Sequence, residues 1–402
     1  MSDLERPRIV NPEMDEVRFD DDDEAFRRLL TPEIICNFRA EEVPFSRIPG
    51  GFILDPAAGS GGQLAAYGEK FGVGCVGVEL SPRRAVHCAN SLARLEGDSA
   101  TLAICGDGLD SEGVMSLVRE KMGDVKVSML HVDPARPLDA QNHSISEMEP
   151  PLRPLLEAWS DYLEEGEFGV NLLLDLSPRL ALKQRMEVEA IVRELFPGVN
   201  VMWEWLSRGG GRVDRLTIHT GGLAQEDGEV RCIRLHRDGS FDVLSGKTEA
   251  GDVEWLDIDP VVGEILALID PVVIQSGLRV AYEMGAGQEG EVRWVHDSDR
   301  RPMAILNEEL RVDCTSRAFT PIHGRVEERI KGSLDLMMVD SLAASAMRYG
   351  LSKVQIRCAC DPEMHTKIVS RLDSILGDTE GERGFLVDAP SGNSLFLCKK
   401  IP

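Results

Sequence analysis

The first feature of the sequence that could do chemistry is a glycine turn with an acid on each side. The segment from Phe52 to Glu79 contains a short apolar run that ends in Asp55, a turn with Gly59 and Gly61, and a second apolar run that ends in Glu79. This pattern predicts one βαβ unit of a parallel sheet. Glycine lets the backbone approach a ligand, and an acid that ends the second strand can accept both hydroxyls of a ribose. We therefore expect a cofactor that contains adenosine.

The residue order in the turn separates two classes of cofactor. A dinucleotide fingerprint requires G-x-G-x-x-G, with the pyrophosphate at a helix N-terminus, whereas this turn reads D-P-A-A-G-S-G-G. The acid ahead of the glycines would repel a pyrophosphate and would suit a cationic amino group. The pattern favours S-adenosyl-L-methionine over a nicotinamide cofactor. Binding of NADH by the protein would support the nicotinamide alternative. The predicted cofactor-binding residues of this unit are Asp55, Ala57, Gly59, Gly61 and Glu79.

Two further acids lie at the ends of later predicted strands. Asp107 ends the run TLAICGD and Asp133 ends the run VSMLHVD. Ligands of open α/β sheets bind outside the carboxyl ends of the strands, so Asp107 is predicted to meet the adenine edge of the cofactor. Each acid taken alone could equally be a turn residue or a helix cap. Four acids at four strand ends together favour a ligand site.

At these residues the chain resembles the class I S-adenosylmethionine-dependent methyltransferases, and more narrowly those that carry a THUMP-like domain at the C-terminus. The narrower resemblance rests on Asp133 to Arg136 (DPAR), on Asp270 to Leu278 (DPVVIQSGL) and on Gly350 to Leu372 (GLSKVQIRCACDPEMHTKIVSRL). It covers most of residues 50 to 402. Members of this family often have a second arginine after the DPAR sequence, where this chain has Pro137.

The resemblance implies a catalytic role for the residues after the fourth strand. Methyl transfer requires a nucleophile held in line with the methyl group and removal of any proton that the nucleophile carries. Similar loops of amino methyltransferases read D/N-P-P-Y/F and hold the target amine. We expect Asp133 and the Pro134 carbonyl to hold an amine, and Arg136 to stack on a base or bind a phosphate or carboxylate. The plain alternatives are a helix cap for Asp133 and a surface salt bridge for Arg136.

The cysteines favour transfer to nitrogen or to a base atom that needs no covalent intermediate. Methylation at pyrimidine C5 normally uses a cysteine nucleophile near the fourth or fifth strand end, whereas Cys105 and Cys232 lie in other predicted elements. The resemblance then implies RNA as partner, with a base or an exocyclic nitrogen as target. The alternative is a protein that binds the cofactor or RNA on the same fold without catalysis. The nine cysteines include no C-x-x-C pair, so we expect reduced thiols and no metal site.

Composition limits the class of protein. The 402 residues include 43% hydrophobic ones, enough for more than one buried core. Because the chain has no apolar stretch of about 20 residues and no signal-peptide layout at its start, we expect a cytoplasmic protein without membrane contact. The formal net charge of −25 argues against a nucleic-acid partner, since phosphate binding rests on Lys and Arg. From Thr320 onward 11 basic residues balance 11 acidic ones, so the earlier part of the chain carries all the excess.

The order of predicted elements gives an α/β fold with a Rossmann-like, seven-stranded methyltransferase sheet. Five parallel strands would be followed by the runs VMWEWLS and RLTIHT, which a glycine turn can join only as an antiparallel pair. The predicted domains are a short helical N-terminal lead-in (1–48), the methyltransferase domain (49–225), a connecting region with a β-hairpin (226–319) and a small α+β, THUMP-like domain (320–402).

Overall fold

The computed structural model describes residues 6–11, 30–95, 100–134, 144–247, 254–256, 258–377 and 380–402. The predicted site residue Arg136, together with Ala135 and Pro137, lies outside the described residues. The chain forms two compact units. The first comprises Met1–Trp205, Asp214–Val230 and Arg237–Ser240, and the second comprises Leu206–Val213, Arg231–His236 and Phe241–Pro402.

The first part of the chain alternates strands and helices. Its elements are β1 (Arg8–Ile9), α1 (Glu33–Glu42), β2 (Phe52–Asp55), α2 (Gly62–Phe71), β3 (Cys75–Glu79), α3 (Pro82–Leu92), β4 (Thr101–Cys105), α4 (Ser111–Met122), β5 (Val127–Val132), α5 (Leu152–Trp159), β6 (Glu165–Gly166), β7 (Gly169–Val170), β8 (Leu172–Leu176), α6 (Leu182–Leu195), β9 (Val201–Ser207), β10 (Arg215–Thr220), β11 (Glu229–Leu235) and β12 (Phe241–Gly246). The strands β9 and β11 pass from the first unit into the second.

Seven strands have the predicted methyltransferase arrangement, in the order β4-β3-β2-β5-β8-β10-β9. Each adjacent pair from β4 to β8 is parallel, and β10 runs antiparallel to β8. The short β1 adds an antiparallel strand beside β4. The Rossmann-like α/β fold is therefore confirmed. Because the five parallel strands share a direction, their carboxyl ends meet at one edge of the sheet, where ligands bind in this class of fold.

Local sequence signals explain several helices of this unit. Ser81 caps α3 by accepting the N–H of Arg84 at 3.5 Å, and Pro82 occupies the first helical position. Apolar residues at helical spacing in α5, namely Leu152, Leu155, Leu156 and Trp159, are buried. In α6 the buried residues are Val188, Ile191 and Val192.

The second part of the chain builds another sheet. Its elements are β13 (Ile265–Leu268), α7 (Pro271–Ser276), α8 (Arg279–Ala286), β14 (Arg293–His296), β15 (Met303–Leu306), β16 (Ile322–Lys331), α9 (Val339–Arg348), β17 (Leu351–Ile356), α10 (Pro362–Leu376), β18 (Glu382–Asp388) and β19 (Ser394–Lys400). The seven strands have the order β14-β15-β13-β16-β19-β18-β17. They pair antiparallel except for β17 and β18, which are parallel.

Alternation along β18 shows how this second sheet is packed. Leu386 faces the cluster that includes Ile368 and Leu372 of α10, whereas Phe385 and Val387 face a cluster of strand residues. A period of two therefore divides the strand between two apolar clusters. The sheet combines strands from both sides of residue 320, and the predicted domain boundaries and the THUMP-like assignment remain predictions.

No helix within the described ranges has the length and apolar character needed to cross a membrane. Over the same ranges, no cluster of three or more His, Cys, Asp or Glu side chains has a geometry that could hold a metal ion. All nine cysteines of the chain have free thiols.

Candidate functional site

The glycine turn after β2 is held against β3 by backbone hydrogen bonds. The N–H of Gly59 donates to Oε2 of Glu79 at 3.1 Å, and the N–H of Ala58 donates to the Val78 carbonyl at 2.9 Å. Gly61 ends the turn with φ +72° immediately before α2 begins. The predicted donor residues Gly59 and Glu79 are thus in direct contact at the carboxyl edge of the sheet.

Glu79 is buried, with 5% of its surface exposed. Burial raises the pKa of Glu79, against the opposing effects of the Ser81 N–H, the Arg84 charge and the Gly59 N–H. Oε1 accepts the Ser81 N–H at 2.8 Å and lies 3.0 Å from an Arg84 nitrogen. A carboxylate has about four acceptor positions, so one remains on Oε2 for a ribose hydroxyl. A second hydroxyl would compete with Arg84, which is partly exposed.

The two glycines of the turn have different surroundings. A Cβ added to Gly61 would lie 2.8 Å from the Cys88 sulfur, so this glycine allows the turn to pack on α3. A Cβ added to Gly59, which has φ +55°, would meet no heavy atom within 4 Å. Gly59 therefore borders open space that a ligand could occupy. Leu80, which follows Glu79 in the sequence, is 57% exposed, and an apolar side chain after the ribose acid can pack on the face of a purine.

The predicted donor residues Asp55 and Ala57 contact each other. Oδ1 of Asp55 accepts the Ala57 N–H at 2.9 Å, and Oδ2 lies 2.8 Å from Nδ1 of His131. Asp55 is buried, with 3% of its surface exposed. Its predicted role, attraction of the cationic amino group of the cofactor, remains a prediction.

Asp107 has the geometry of a turn residue. Its Oδ1 accepts the N–H of Leu109 at 2.9 Å, and its carbonyl accepts the N–H of Asp110 at 3.0 Å. Its side chain is half-buried at the carboxyl edge of the sheet, after β4. Both the turn role and the predicted contact with adenine are compatible with this position, and the second remains a prediction.

Asp133 follows β5 on the other side of the same edge. Its Oδ2 accepts the hydroxyl of Thr31 at 3.3 Å, and the adjoining Pro134 is buried. Burial and the nearby Asp175 carboxylate raise the pKa of Asp133, although Arg215, Arg39 and His131 act in the opposite direction. A carboxylate with a raised pKa is a better proton acceptor than an ordinary aspartate. The structure thus brings Asp133 and Pro134 to the edge where the sequence predicts the methyl acceptor.

A buried ion pair that the sequence analysis missed lies next to Asp133. The guanidinium of Arg39, on α1, donates to both carboxylate oxygens of Asp175, at the end of β8. Thr217 of β10 donates to Oδ1 of Asp175 at 2.7 Å and accepts from Arg39 at 3.1 Å. Burial acts to raise the pKa of Asp175, but the charges of Arg39, His131 and Arg215 outweigh it and hold the pKa below its usual range. α1 is therefore held to β8 and β10 by a buried, charged and hydrogen-bonded group.

Two more charged or titratable side chains, His131 and Arg215, act on Asp175 electrostatically. His131 contacts Asp55 through Nδ1, and its Nε2 lies 3.9 Å from Oδ2 of Asp175. Arg215 of β10 donates to the hydroxyl of Thr31 at 3.3 Å, the same hydroxyl that donates to Asp133. Two hydrogen-bonded groups therefore lie at this edge of the sheet. The first contains Arg39, Asp175, Thr217, His131 and Asp55, and the second contains Asp133, Thr31 and Arg215. The charges of Asp175 and Arg39 in the first group act on Asp133 in the second.

The structure also places a cysteine near the acceptor side. Cys36, which the sequence does not place near any strand end, lies on α1 within electrostatic reach of Asp133 and Asp175. Burial raises the pKa of the Cys36 thiol to about 11. The thiol is therefore protonated near neutral pH and is a poor nucleophile. A covalent cysteine mechanism is disfavoured because this thiol is protonated. The earlier reason, that no cysteine lies nearby, does not apply to Cys36.

The missed residues carried a sequence signal. Asp175 interrupts the apolar run LLLDL, and Arg39 follows Cys36 and Phe38 on what becomes the buried face of a helix. A charged residue at a fully buried position requires a partner, so each of the two predicts an opposite charge elsewhere in the chain. The fold determines which residue supplies that opposite charge.

Comparison of the chain with protein-family models and with curated proteins gave no match. Among solved structures, the chain is similar to a candidate methyltransferase from Porphyromonas gingivalis W83, with 15% identity and a TM-score of 0.61 over 94% of this chain and 83% of the other. A candidate class I S-adenosylmethionine-dependent methyltransferase from Listeria monocytogenes is 15% identical, with a TM-score of 0.35 over 50% of this chain and 65% of the other. An O-methyltransferase from Bacillus cereus, solved with S-adenosylhomocysteine, is 12% identical, with a TM-score of 0.34 over 51% of this chain and 92% of the other.

The first likeness extends over both units of the chain, and at its level of identity it concerns the fold. The strand order found in the first unit agrees with it. The chain therefore shares its α/β, Rossmann-like fold with that structure.

Proposed function

We propose that the protein is an S-adenosylmethionine-dependent methyltransferase. The observation that carries the proposal is the contact between Gly59 and Glu79 at the sheet edge, with open space in front of Gly59 and an acceptor position left on Glu79. The exposed Leu80 adds an apolar surface for adenine. These features fit the adenosine part of the cofactor, and no described feature of the turn provides the glycine spacing that a pyrophosphate requires.

Bound S-adenosylmethionine would supply an electrophilic methyl group on sulfur. Asp133 and the Pro134 carbonyl accept the N–H groups of the target and hold its nitrogen in line with that methyl group. Asp133, with its raised pKa, would take the proton that the nitrogen loses when the methyl group passes from sulfur to nitrogen and S-adenosylhomocysteine leaves. Arg39 and Asp175 fix α1, so that Thr31 keeps its hydrogen bond to Asp133.

The finer parts of this proposal concern the substrate and the domains. We take an RNA base or exocyclic nitrogen as the target, residues 49–225 as the methyltransferase domain, and residues 320–402 as a THUMP-like domain that helps to hold RNA. The predicted site of action is the cytoplasm. The support for RNA is the resemblance of the D-P-A-R loop and of the C-terminal sequence to that family.

Calorimetric titration with S-adenosylhomocysteine tests the donor site. Glu79→Gln removes the charge and weakens the hydrogen bonds to ribose, and each charged hydrogen bond is worth about 1.5–3 kcal/mol, so affinity should fall about tenfold or more. Glu187→Gln, a change of equal charge at an exposed position of α6, should leave affinity unchanged. If the wild type does not bind, or if both variants bind as the wild type does, the donor assignment is wrong.

Transfer of a labelled methyl group to unmodified total RNA tests catalysis. The wild type should incorporate label and Asp133→Asn should incorporate it far more slowly, while both bind S-adenosylhomocysteine equally. Cofactor binding without any incorporation into RNA, DNA or small amines would instead favour the non-catalytic binding protein.

A further inference from the structure

Two carboxylates lie beside each other at the acceptor edge of the sheet. Val132 of β5 pairs with Leu174 of β8 in a parallel register. Asp133 and Asp175 come next along these two strands and are therefore neighbours. Neighbouring carboxylates repel each other, so one of such a pair tends to bind a proton. Each carboxylate thus needs hydrogen-bond donors or positive charge of its own to stay ionised.

Asp175 has both an arginine and a threonine as donors. Arg39 donates to its two carboxylate oxygens, and the hydroxyl of Thr217 donates to Oδ1 at 2.7 Å and accepts from Arg39 at 3.1 Å. Although burial acts to raise the pKa of Asp175, the charge and hydrogen bonds of Arg39 contribute to holding it below its usual range. This arrangement keeps Asp175 ionised.

Asp133 has a matching arrangement of a threonine and an arginine. Its Oδ2 accepts the hydroxyl of Thr31 at 3.3 Å, and the same hydroxyl accepts from Nη2 of Arg215 at 3.3 Å. Because a guanidinium can only donate, the Thr31 oxygen is the acceptor toward Arg215, and its one hydrogen is left for Asp133. An ionised carboxylate is the better acceptor of that hydrogen. The arrangement therefore favours the ionised form of Asp133.

The same two segments of the chain supply both arrangements. Arg215 and Thr217 are two positions apart on β10, so their side chains lie on one face of the strand. Arg39 lies on α1, and Thr31 lies two positions before that helix begins. Hydrogen bonds between these segments complete the donor set of each carboxylate.

The groups around Asp133 act on it in opposite directions. The charged or titratable groups that face it from neighbouring elements are Asp175 of β8, Arg215 of β10, His131 of β5, and Arg39 and Cys36 of α1. Burial and the Asp175 carboxylate raise the pKa of Asp133, and Arg215 provides the largest opposing effect. Loss of the Arg215 charge, or of the Thr31 hydroxyl, should therefore leave Asp133 protonated up to a higher pH.

We propose that Thr31 and Arg215 are positioning residues that keep Asp133 ionised, so that its carboxylate can take a proton from the methyl acceptor. The inference rests on the proposed function for the role of Asp133. In that reaction the methyl group passes from the sulfonium sulfur to the nitrogen, S-adenosylhomocysteine leaves, and the proton of the nitrogen moves to Asp133. A carboxyl group that is already protonated cannot accept it.

The pH dependence of methyl transfer in Thr31→Val and Thr31→Ser tests the hydroxyl. Valine has the shape of threonine without the hydrogen bond, so the acid midpoint of the rate should move to higher pH. Below both midpoints the rate should fall about tenfold relative to the wild type, and at high pH it should recover. Serine keeps the hydroxyl and should keep the midpoint. Thr366→Val, at an exposed position of α10, is the matched control and should also keep it.

A second pair of variants tests the guanidinium. Arg215→Gln removes the charge and should move the midpoint in the same direction as Thr31→Val. Arg215→Lys keeps a positive charge that can donate to Thr31 and should move the midpoint less. This pair gives the same comparison if Thr31→Val does not fold.

Nuclear magnetic resonance of isotope-labelled aspartate carboxyl groups measures the midpoint of Asp133 without substrate, and Asp133→Asn assigns the resonance by its loss. A higher midpoint in Thr31→Val and Arg215→Gln than in the wild type, Thr31→Ser and Thr366→Val supports the inference. The same midpoint in all of these proteins overturns it, whether or not they transfer methyl groups. If the midpoint moves as expected but the wild type transfers no methyl group, the proposed function is wrong and the ionisation of Asp133 by Thr31 and Arg215 is still supported.

Discussion

The donor and acceptor sides of the candidate site are built in different ways. On the donor side, Gly59 and Glu79 are 20 positions apart in sequence, and the contact is a backbone N–H on a carboxylate. On the acceptor side, Arg39 and Asp175 are 136 positions apart, and Arg215 and Thr31 are 184 positions apart. The donor side is thus formed within one βαβ unit, whereas the acceptor side needs α1, β5, β8 and β10 in place together.

This difference predicts which property a substitution on each side should impair. The donor side depends on backbone groups that the sheet itself positions, so its side chains can be changed with an effect on binding and little effect on the fold. The acceptor side contains buried charges that satisfy one another, so removal of one partner leaves the other unpaired. Variants of the acceptor side should therefore affect stability, and those of the donor side affinity.

Arg39→Leu should have the largest effect on stability. It leaves the Asp175 carboxylate buried with Thr217 as its remaining close donor, and removal of one partner of a buried pair costs about 3–5 kcal/mol. Denaturant unfolding should show that loss in the free energy of unfolding. Arg371→Leu, which breaks the exposed pair with Asp340, should cost at most about 1 kcal/mol. The double variant R39L/D175L should recover part of the loss, and an equally small effect of both single variants would show that the buried pair has no structural role.

Asp133→Asn should lower the rate of methyl transfer by about a hundredfold, because the side chain no longer takes a proton. The pH profile gives a sharper test. The carboxyl must be deprotonated to act, and its pKa is raised by burial and by Asp175, so the wild-type rate should fall as pH drops through a value above the ordinary range of aspartate. The variant should lack this inflection and still bind S-adenosylhomocysteine. An inflection that persists in Asp133→Asn would assign the titrating group elsewhere.

The same contrast explains how much the sequence could predict. The donor turn could be predicted because its strand, glycine turn, helix and acid are contiguous from Phe52 to Glu79. The local conformational preference of each of these segments agrees with the fold. The five parallel strands and the strand after them followed from the same periodicity. The partners of Arg39 and Asp175 could not be found in this way, since no local pattern encodes a contact across 136 positions. The strands β13 to β15 could not be predicted either, because an apolar run of four residues is compatible with a strand and with a connecting segment.

Alanine at Gly61 and at Gly59 separates packing from binding within the donor turn. Both residues have positive φ, which costs a side chain about 1–2 kcal/mol. Only Gly61→Ala also forces a methyl group against Cys88, which should add about 1–3 kcal/mol to the loss in unfolding free energy. Gly59→Ala places its methyl group in open space, so its further effect should be weaker binding of S-adenosylhomocysteine. Equal stability of the two variants in denaturant unfolding would contradict the packing role of Gly61.

Substitution of Cys36 should have the smallest effect on methyl transfer. The low reactivity of its thiol tests whether the acceptor side uses a cysteine nucleophile. Although α1 brings the thiol near Asp133 and Asp175, burial raises its pKa to about 11, so very little thiolate exists at pH 8. Iodoacetamide should label Cys36 far more slowly in the folded protein than in denaturant. Cys36→Ala should retain methyl transfer within a few fold, because transfer to nitrogen needs no covalent intermediate. Rapid labelling together with loss of transfer in Cys36→Ala would instead indicate a cysteine nucleophile, and α1 would then supply a reacting group as well as an anchor for the acceptor side.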